Sequence, residues 1–321
     1  MKEIGGYYEL ERFDKEEYHR GLLALNLGRT ALVYAMQKNK ADKIYLPYFL
    51  CDSVKDICKE QGWDIDYYHI DKNFKPLGLR PLRQREYLYL VNYYGQISDR
   101  EILALKETYP KLIVDHVHDF FRRPLEGIIS LYSCRKFFGV SDGAYLSMDG
   151  VNEDKELEAD YSAGRMLHVL GRLERDAGTY YQKMLENADT YHGEQAKKMS
   201  KLTQNLLRGI DYDKTKKIRE DNYDLLDTYL KKENGKVFYR GQGPLAYPFY
   251  VKDGGRIKRE LAKEKIYIPT YWSNVLKDEG VSDLEKDLAE NILPLPCDQR
   301  YDAKDMVRLA KSLLACMEKI K

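Results

Sequence analysis

Asp115 and Lys136 are the residues whose types and spacing most clearly suggest chemistry. Asp115 closes the apolar run KLIVD, and Lys136 follows the run GIISLYS further along the chain. Because parallel strands bring their carboxyl ends to one edge of a sheet, both side chains are expected to face one cavity there. A lysine amine can hold an aldehyde as an imine, while a carboxylate keeps a pyridine nitrogen protonated. The pair therefore indicates a site for pyridoxal phosphate (PLP), although Asp115 alone could be a loop residue and Lys136 alone a surface lysine.

Two further segments could bind the phosphate of such a cofactor. Ser133 and Lys136 have S-x-x-K spacing, so the hydroxyl could bond a phosphate oxygen while the amine reaches the ring. In LNLGRTALVYAM, Gly28, Arg29 and Thr30 open a helical pattern, where backbone NH groups and the Thr30 hydroxyl favour an anion. The alternatives are an ordinary N-cap at Thr30 and the S-x-x-K of serine acyl enzymes. The chain contains no GxGxxG or GxxxxGK[ST], so dinucleotide and ATP sites are not predicted.

The elements that must position these residues follow an alternating pattern. Between residues 28 and 148, β-rich runs bounded by turn residues alternate with helical patterns. Such alternation is typical of an α/β domain with a mostly parallel sheet. Helices are predicted over residues 30–37 and 52–60, and the strand candidates are KIYLP, IDYYHID, EYLYLVNYYG, KLIVD, GIISLYS and GAYLSMD.

The pattern changes after Gly150. A stretch without proline, rich in Glu, Lys, Leu and Tyr, predicts several helices up to about residue 232. The strand-like runs VFYRG, YPFYV and KIYIP then surround the helical RIKRELAKE, and an amphipathic helix is predicted over residues 303–320. We therefore predict a large PLP-binding domain over residues 1–210, mainly helical over 151–210, and a smaller C-terminal α/β domain over 211–321.

Composition excludes several classes of partner. The 53 basic and 52 acidic residues leave a net charge of +1, so no global field attracts nucleic acid. Five cysteines without a CxxC pair favour a reducing compartment. No signal-peptide core and no run near the ~18 apolar residues of a membrane span is found. We expect a soluble, cytoplasmic protein that acts on small molecules and contacts neither nucleic acid nor membrane.

Seven segments together resemble one enzyme family. They are LNLGRTAL, KIYLPYFLCDSV, DYYHID, VNYYG, LIVDHVHDFF, SLYSCRKFFGVSDGAYL and ILPLPCDQRYDAKDM. In this order they resemble the DegT/StrS family of PLP-dependent sugar aminotransferases, closest to a compact branch associated with bacterial surface-polysaccharide gene clusters. The resemblance implies the architecture of fold-type-I PLP-dependent transferases, a keto-sugar substrate and an amino donor.

The resemblance also implies roles for individual residues. Lys136 would carry PLP, and Asp115 would pair with the pyridinium nitrogen. His118 falls where the family has Gln or His beside the phenolic oxygen of the ring. Two histidines, His116 and His118, without a third ligand make a poor zinc site, so no metal is predicted. The remaining cofactor-binding residues would be Gly28, Arg29, Thr30 and Ser133 at the phosphate, Cys51 at the position of the family's ring-stacking aromatic, with Tyr48 and Phe49 as substitutes, and Tyr94 at a strand end.

Departures from the family pattern concern two segments. Gly143 is followed by Ala144 where many members have Gly-Gly, and Ser141 stands where Pro is common. The GYNYR-type motif, whose Asn reaches the neighbouring subunit, corresponds loosely to DYSAGRM, with Ser162 or Ala163 at the Asn position. Family members complete their sites across a subunit boundary, so the resemblance implies a homodimer.

Two classes of function follow from these features. The first is an aminotransferase acting on a keto sugar, nucleotide-linked, with a glutamate-like donor, in which Lys136 moves the proton at the donor carbon. A sugar dehydratase on the same scaffold has His in place of the lysine, so the retained Lys136 disfavours that reaction. The second is a catalytically inactive family member that serves as a regulatory or assembly protein. Tyr271 and Trp272, after KIYIP, are candidates for contact with a sugar ring, with core packing as the alternative for Trp272.

Overall fold

An eight-stranded sheet forms the centre of the first half of the chain. The computed structural model describes residues 4–190, 193 and 195–320. The strands lie in the order β1-β8-β7-β6-β5-β2-β3-β4. Their bounds are β1 Leu23–Leu25, β2 Lys43–Pro47, β3 Asp64–Ile70, β4 Pro76–Leu77, β5 Glu86–Val91, β6 Leu112–Asp115, β7 Ile129–Ser133 and β8 Ala144–Ser147.

The sheet is mostly parallel, as predicted. Strands β7, β6, β5, β2 and β3 run in one direction, whereas β8 is antiparallel to both β7 and β1, and β4 is antiparallel to β3. It follows that β1 points the same way as the parallel strands. The carboxyl ends of six strands thus lie at one edge, where α/β sheets place their ligands.

Three helices connect the strands of this sheet. They are α1 Gly28–Lys38, α2 Asp52–Glu60 and α3 Asp99–Thr108. Helix α2 has the predicted bounds, and α3 begins with a capping box in which Ser98 and Glu101 bond each other's backbone NH groups. Helix α1 begins earlier than predicted. Its N-cap is Leu27, without a side-chain cap, so an N-cap role for Thr30 is wrong.

The middle of the chain is helical, as predicted. Its helices are α4 Leu167–Glu174, α5 Tyr181–Asp189, α6 Lys201–Arg208 and α7 Tyr212–Leu230. Ser200 caps α6 and Asp211 caps α7, each accepting a backbone NH of the first turn. Helix α4 turns Leu167, Leu170 and Leu173 towards solvent, where they are exposed.

A second, smaller unit follows. Strand β9, Ala246–Tyr250, pairs antiparallel with β10, Ile292–Pro296, and three helices complete the unit: α8 Gly254–Lys263, α9 Asp283–Asn291 and α10 Ala303–Ile320. Tyr223, Leu226 and Leu230 of α7 join the buried cluster that α8, α10 and both strands form. None of the described helices combines the length and the hydrophobicity that a membrane span requires.

Two predicted strands of this unit are wrong. VFYRG is extended but unpaired: the Gln96 side chain bonds both the NH and the carbonyl of Tyr239, at 2.7 and 2.8 Å, in place of a neighbouring strand. In KIYIP, Ile266 and Ile268 are buried while Tyr267 is 69% exposed. That alternation comes from packing beside α8, whose Leu261 carbonyl accepts the NH of Ile266, and not from a sheet. The strand that pairs with β9 is ILPLP.

Candidate functional site

The sheet brings the predicted site residues to its carboxyl edge. Asp115 ends β6, Ser133 ends β7, and Lys136 closes the short 3-10 turn that follows. Gly28 follows β1 and opens α1. Tyr94 lies just after β5, with a left-handed backbone (φ 53°), and Cys51 lies after β2 as the N-cap of α2.

Asp115 is held by two hydrogen bonds. The Tyr89 hydroxyl donates to its Oδ2 at 2.6 Å, and the Val117 NH donates to Oδ1 at 2.8 Å. Part of the side chain is accessible at the sheet edge, yet the surrounding protein atoms raise the pKa of the carboxyl to about 6. Both hydrogen bonds and the charge of Lys136 act against burial and favour the ionised form. Asp115 is thus a half-buried carboxylate whose charge depends on its donors.

Lys136 is exposed on one side and shares the site of Asp115 on the other. Its ammonium lies 5.8 Å from the centroid of the Tyr271 ring. Its charge also lowers the pKa of Asp115 and that of His118, which places it in the same electrostatic environment. The Lys136 side of the expected cavity is therefore open to solvent in the single chain.

His118 lies in an aromatic wall beside Lys136. Its ring centroid is 5.3 Å from that of Tyr94, 5.2 Å from Tyr271 and 5.1 Å from Trp272. Burial, and then the charge of Lys136, lower the pKa of His118 well below its ordinary value, so the ring is neutral. The NH of Tyr94 donates to its Nδ1 at 3.4 Å, which leaves the ring proton on Nε2. His118 can therefore donate a hydrogen bond to an oxygen.

The start of α1 lies next to the end of β7. The Gly143 NH donates to the Asn26 carbonyl, and the Gly143 carbonyl accepts the Cys134 NH at 3.0 Å. Gly143, the residue before β8, is thus hydrogen-bonded both to the segment that enters α1 and to the turn that follows Ser133. The first NH groups of α1, including that of Gly28, have no acceptor within the helix.

Some side chains at this junction have hydrogen-bond donors that are already used within the chain, and others do not. The Thr30 hydroxyl is buried and donates to Asn26 Oδ1 at 2.6 Å, so its proton is used within the chain, and its predicted contact with a phosphate stays a prediction. Asn26 Nδ2 is buried and has no partner among the described residues. The Ser133 hydroxyl likewise bonds no side chain or backbone group in the described part of the chain. Asn26 Nδ2 and Ser133 Oγ are thus the donors left for an anion, beside the backbone at Gly28 and Arg29.

Cys51 lies near Tyr89 of the candidate site, whereas its neighbours Tyr48 and Phe49 pack against other aromatic side chains. The Cys51 sulfur lies 3.3 Å from Ser53 Oγ and close enough to Tyr89 to influence its pKa. Phe49 is fully buried and packs on Trp272, with centroids 4.7 Å apart, and Tyr48 stacks on Tyr67 at 5.0 Å. Phe49 and Tyr48 therefore pack against other aromatic side chains. Tyr94 and Tyr271 of the aromatic wall remain as candidates for contact with a cofactor ring.

Comparison with known proteins identifies the architecture. No protein-family model and no curated protein sequence matches the chain. A structure described as a sugar aminotransferase from Streptococcus pneumoniae, in its PLP form, has a TM-score of 0.63 at 12% identity, covering 93% of this chain and 87% of that one. PseC of Helicobacter pylori, an aminotransferase involved in the biosynthesis of pseudoaminic acid, gives 0.63 at 13%, with 92% and 86% covered. The aminotransferase from Psychrobacter cryohalolentis gives 0.64 at 15%, with 92% and 87% covered.

The chain has the fold of the sugar aminotransferases. The fold-type-I architecture predicted from the sequence, a mostly parallel sheet followed by a smaller α/β unit, is thereby confirmed. The shared fold extends over nearly the full length of each chain, and so includes the C-terminal unit.

Two side chains of the DYSAGRM segment contact other residues of the same chain. Arg165 pairs with Asp160 of the same chain at 2.8 Å, and Ser162 Oγ lies 2.6 Å from Ser200 Oγ. Tyr161 is 86% exposed. Arg165 is thus held within its own chain, whereas Tyr161, Ala163 and Gly164 are exposed.

Two site residues were missed by sequence reasoning. Tyr89 stands two positions before Val91, the residue that pairs with Asp115, so aligning the strand ends could have indicated it. Asn26 precedes the Gly-Arg-Thr turn, but nothing in its type signals an unpaired amide. No cluster of three or more His, Cys, Asp or Glu side chains suited to a metal occurs within residues 4–190, 193 and 195–320.

Proposed function

We propose that the chain is a PLP-dependent aminotransferase that transfers an amino group from a glutamate-like donor to a keto sugar. The observation that carries the proposal is the meeting of Asp115 and Lys136 at the carboxyl edge of a sheet whose fold is shared with sugar aminotransferases. The proposal rests on the site as well as on the fold, because one fold supports many activities.

The residues present fit PLP. A pyridine nitrogen needs a carboxylate, and Asp115 offers one that Tyr89 and Val117 keep in its ionised form. A phosphate needs donors, and Asn26 Nδ2 has no protein partner among the described residues. Ser133 and the first turn of α1 add further donors at the same junction. When bound, PLP supplies an electron sink for the carbanion of the amino donor.

Each residue then has a defined task. Lys136 takes and returns the proton at the donor carbon, for which its exposed amine is free to move. Asp115, ionised above its pKa of about 6, would keep the pyridine nitrogen protonated at neutral pH. His118, which is neutral at that pH, would donate from Nε2 to the phenolic oxygen of the ring.

The sugar would lie against the aromatic wall. Tyr271 and Trp272 are half-buried beside Lys136 and His118, and aromatic faces pack well on the CH side of a sugar ring. We propose a nucleotide-linked keto sugar and a role in surface-polysaccharide biosynthesis, as the family resemblance implies. The five cysteines are all free, which supports a reducing, cytoplasmic setting.

A second copy of the chain would complete the site. Lys136 is exposed, although a site for this chemistry should exclude water. Helix α4 lies beside the lysine turn, since Val169 contacts the loop at Gly139, and its outer face exposes Leu170 and Leu173. A partner that covers this face would also cover Lys136, so we propose a homodimer.

An absorbance spectrum of the purified protein incubated with PLP tests the proposal. We expect an absorbance band near the edge of the visible range that borohydride removes. Peptide mapping should then recover the reduced cofactor attached to Lys136. Lys136→Ala should lose the borohydride-sensitive band, and Lys311→Ala, an exposed lysine of α10, should keep it.

The outcomes separate three cases. No such band in the wild-type protein contradicts PLP binding on Lys136. A band that glutamate and other amino donors leave unchanged contradicts transamination and favours an inactive regulatory protein. Loss of the band on adding glutamate, with recovery on adding a keto sugar, supports the full proposal.

A further inference from the structure

A cavity of about 390 Å³ opens in the C-terminal unit, away from Asp115. Helix α8 contributes Lys258 and Arg259 to its lining, and α9 contributes Glu290. Thr270 and the apolar Ile268 line it from the extended segment that follows α8. The cavity thus combines two cations, one carboxylate and one hydroxyl with an apolar wall.

Lys258 is buried without a carboxylate partner. Only 9% of the residue is exposed, and its ammonium donates to Thr270 Oγ1 at 2.8 Å. It forms no ion pair with any residue of the described chain. Lys55, buried to a similar degree, has the carboxylate of Asp278 at 3.0 Å. Burial lowers the pKa of Lys258 to about 8, with Glu290 acting weakly against it.

An unpaired buried cation is costly. Folding removes the ammonium from water, and one neutral hydroxyl replaces little of that hydration. A lysine used only for packing could be replaced by an apolar residue at lower cost. An anion in the cavity would supply the missing partner.

We propose that this cavity binds a small organic carboxylate through the Lys258 ammonium and the Thr270 hydroxyl. The exposed guanidinium of Arg259 adds a second positive charge, and Glu290 offsets one charge. The lining therefore carries a net charge of +1, which one monocarboxylate neutralises. Ile268 provides a surface for a short apolar chain.

The cavity and the candidate active site are lined by neighbouring residues of one segment. Thr270 is followed directly by Tyr271 and Trp272, which face Lys136 and His118. A ligand that holds Thr270 therefore acts on the segment that walls the site. Trp272 is one of two tryptophans, so Trp63→Phe leaves it as the single fluorescent reporter.

Titration of the full chain with acetate, at constant ionic strength in chloride, tests the proposal. Calorimetry should show saturable binding of acetate, and the fluorescence of Trp272 should change with the same midpoint. Lys258→Met keeps the apolar stem and removes the charge, so it should weaken acetate binding about tenfold or more, as loss of a charge-assisted hydrogen bond does. Lys263→Met, on the same helix but outside the cavity, should bind acetate like the wild type.

Each other outcome contradicts the site. Acetate that fails to saturate the folded wild-type chain, or binds Lys258→Met equally well, overturns the proposal. Inorganic phosphate that binds more tightly than acetate, with the same dependence on Lys258, overturns the carboxylate assignment. If circular dichroism shows Lys258→Met misfolded, Thr270→Val decides, because it keeps the charge and should still weaken binding severalfold. None of these results depends on PLP, so they are independent of the proposed aminotransferase activity.

Discussion

Asp115 shows how a single residue balances opposing effects. Burial disfavours its charge, whereas the Tyr89 hydroxyl and the Val117 NH favour it, and burial prevails enough to leave the pKa at about 6. The carboxyl is therefore ionised at neutral pH but titrates closer to neutrality than an ordinary aspartate. This balance depends on Tyr89 more than on any other side chain that contacts Asp115.

The balance predicts a pH dependence of stability in the cofactor-free chain. Folded Asp115 holds its proton up to about pH 6, whereas an unfolded aspartate loses it near pH 4. Between these values the folded state binds more protons, so the free energy of unfolding should fall as pH rises, by up to about 3 kcal/mol. Urea unfolding of the wild type and Asp115→Asn from pH 4 to 8 isolates this contribution.

The Tyr89→Phe variant extends the same measurement. Removing a donor from the ionised carboxyl raises its pKa further, so the decline should continue above pH 6. Tyr87→Phe, on the same strand, serves as the control, since Asp115 affects the pKa of Tyr89 but not that of Tyr87. Parallel pH profiles for the wild type and Asp115→Asn would show that Asp115 does not titrate in this range.

Ser133 should bind the phosphate of PLP. Ser133→Ala removes a donor that no described residue uses, and should weaken PLP binding by about 1.5–3 kcal/mol, as for a hydrogen bond to a charged group. Equilibrium dialysis measures the change. Ser130→Ala, on the same strand but with its hydroxyl directed to the Ile128 carbonyl, should leave PLP affinity unchanged. Equal affinities for the wild type and Ser133→Ala would move the phosphate away from β7.

At the scale of residues, the sequence indicated the chemistry but not the local hydrogen bonds. Asp115 and Lys136 could be found because residue type and strand ends are visible in the sequence. The use of the Thr30 hydroxyl by Asn26 could not, because it depends on how the chain turns into α1. The partner of Asp115 is set by the register of two strands that are separate in sequence.

Elements were predictable where periodicity and end signals agree. Helix α2 has apolar residues on one face and an acidic first turn, and its bounds match the prediction. VFYRG has the β-branched and aromatic residues of a true strand, but only tertiary structure decides whether another strand or a side chain satisfies its backbone. Gln96 does so here, and sequence patterns carry no sign of it.

The turn into β8 needs the glycine at position 143. Gly143 has φ 114°, and an added Cβ would lie 3.0 Å from Thr203 Cγ2 and 3.2 Å from Cys134 Cβ. Gly143→Ala should therefore lower the free energy of unfolding by about 1–3 kcal/mol. Gly150→Ala, also at positive φ (72°) but with no atom within 4 Å of the added Cβ, measures the backbone strain alone. A cost for Gly143→Ala no larger than for Gly150→Ala would show that the contacts with Thr203 and Cys134 are unimportant.

The whole molecule has three buried cores among its described residues, and one of them includes Cys134 and Phe137, which flank the lysine turn. The core of the large sheet includes Val275, Val281 and Leu288 from the C-terminal part, so the segment around Trp272 is packed against the sheet. A second core unites α7 with α8 and α10. The predicted division at residues 210/211 falls just before α7 and stays a prediction. Lys136 itself belongs to none of these cores and is exposed.

We expect a second copy of the chain to cover the exposed side of Lys136. Leu167, Leu170 and Leu173 are 48%, 60% and 89% exposed on α4, a row of apolar side chains of the kind that subunit interfaces bury. Sedimentation at micromolar concentration should give twice the chain mass of 37.7 kDa. Leu170→Glu places a charge in the interface and should shift the protein to monomer, while Leu103→Glu, at a similarly exposed leucine of α3, should not.

The proposed dimer should also affect how tightly the chain retains PLP. If the partner covers Lys136, the Leu170→Glu monomer should keep its fold but retain PLP less tightly, since the cofactor would then lie open to water. Tyr161→Ala should weaken the dimer less than Leu170→Glu, because it removes contact area without introducing a charge. A wild-type monomer that binds PLP and transaminates would remove the partner from the mechanism, yet it would leave Lys136 and Asp115 in their roles, because both belong to one chain.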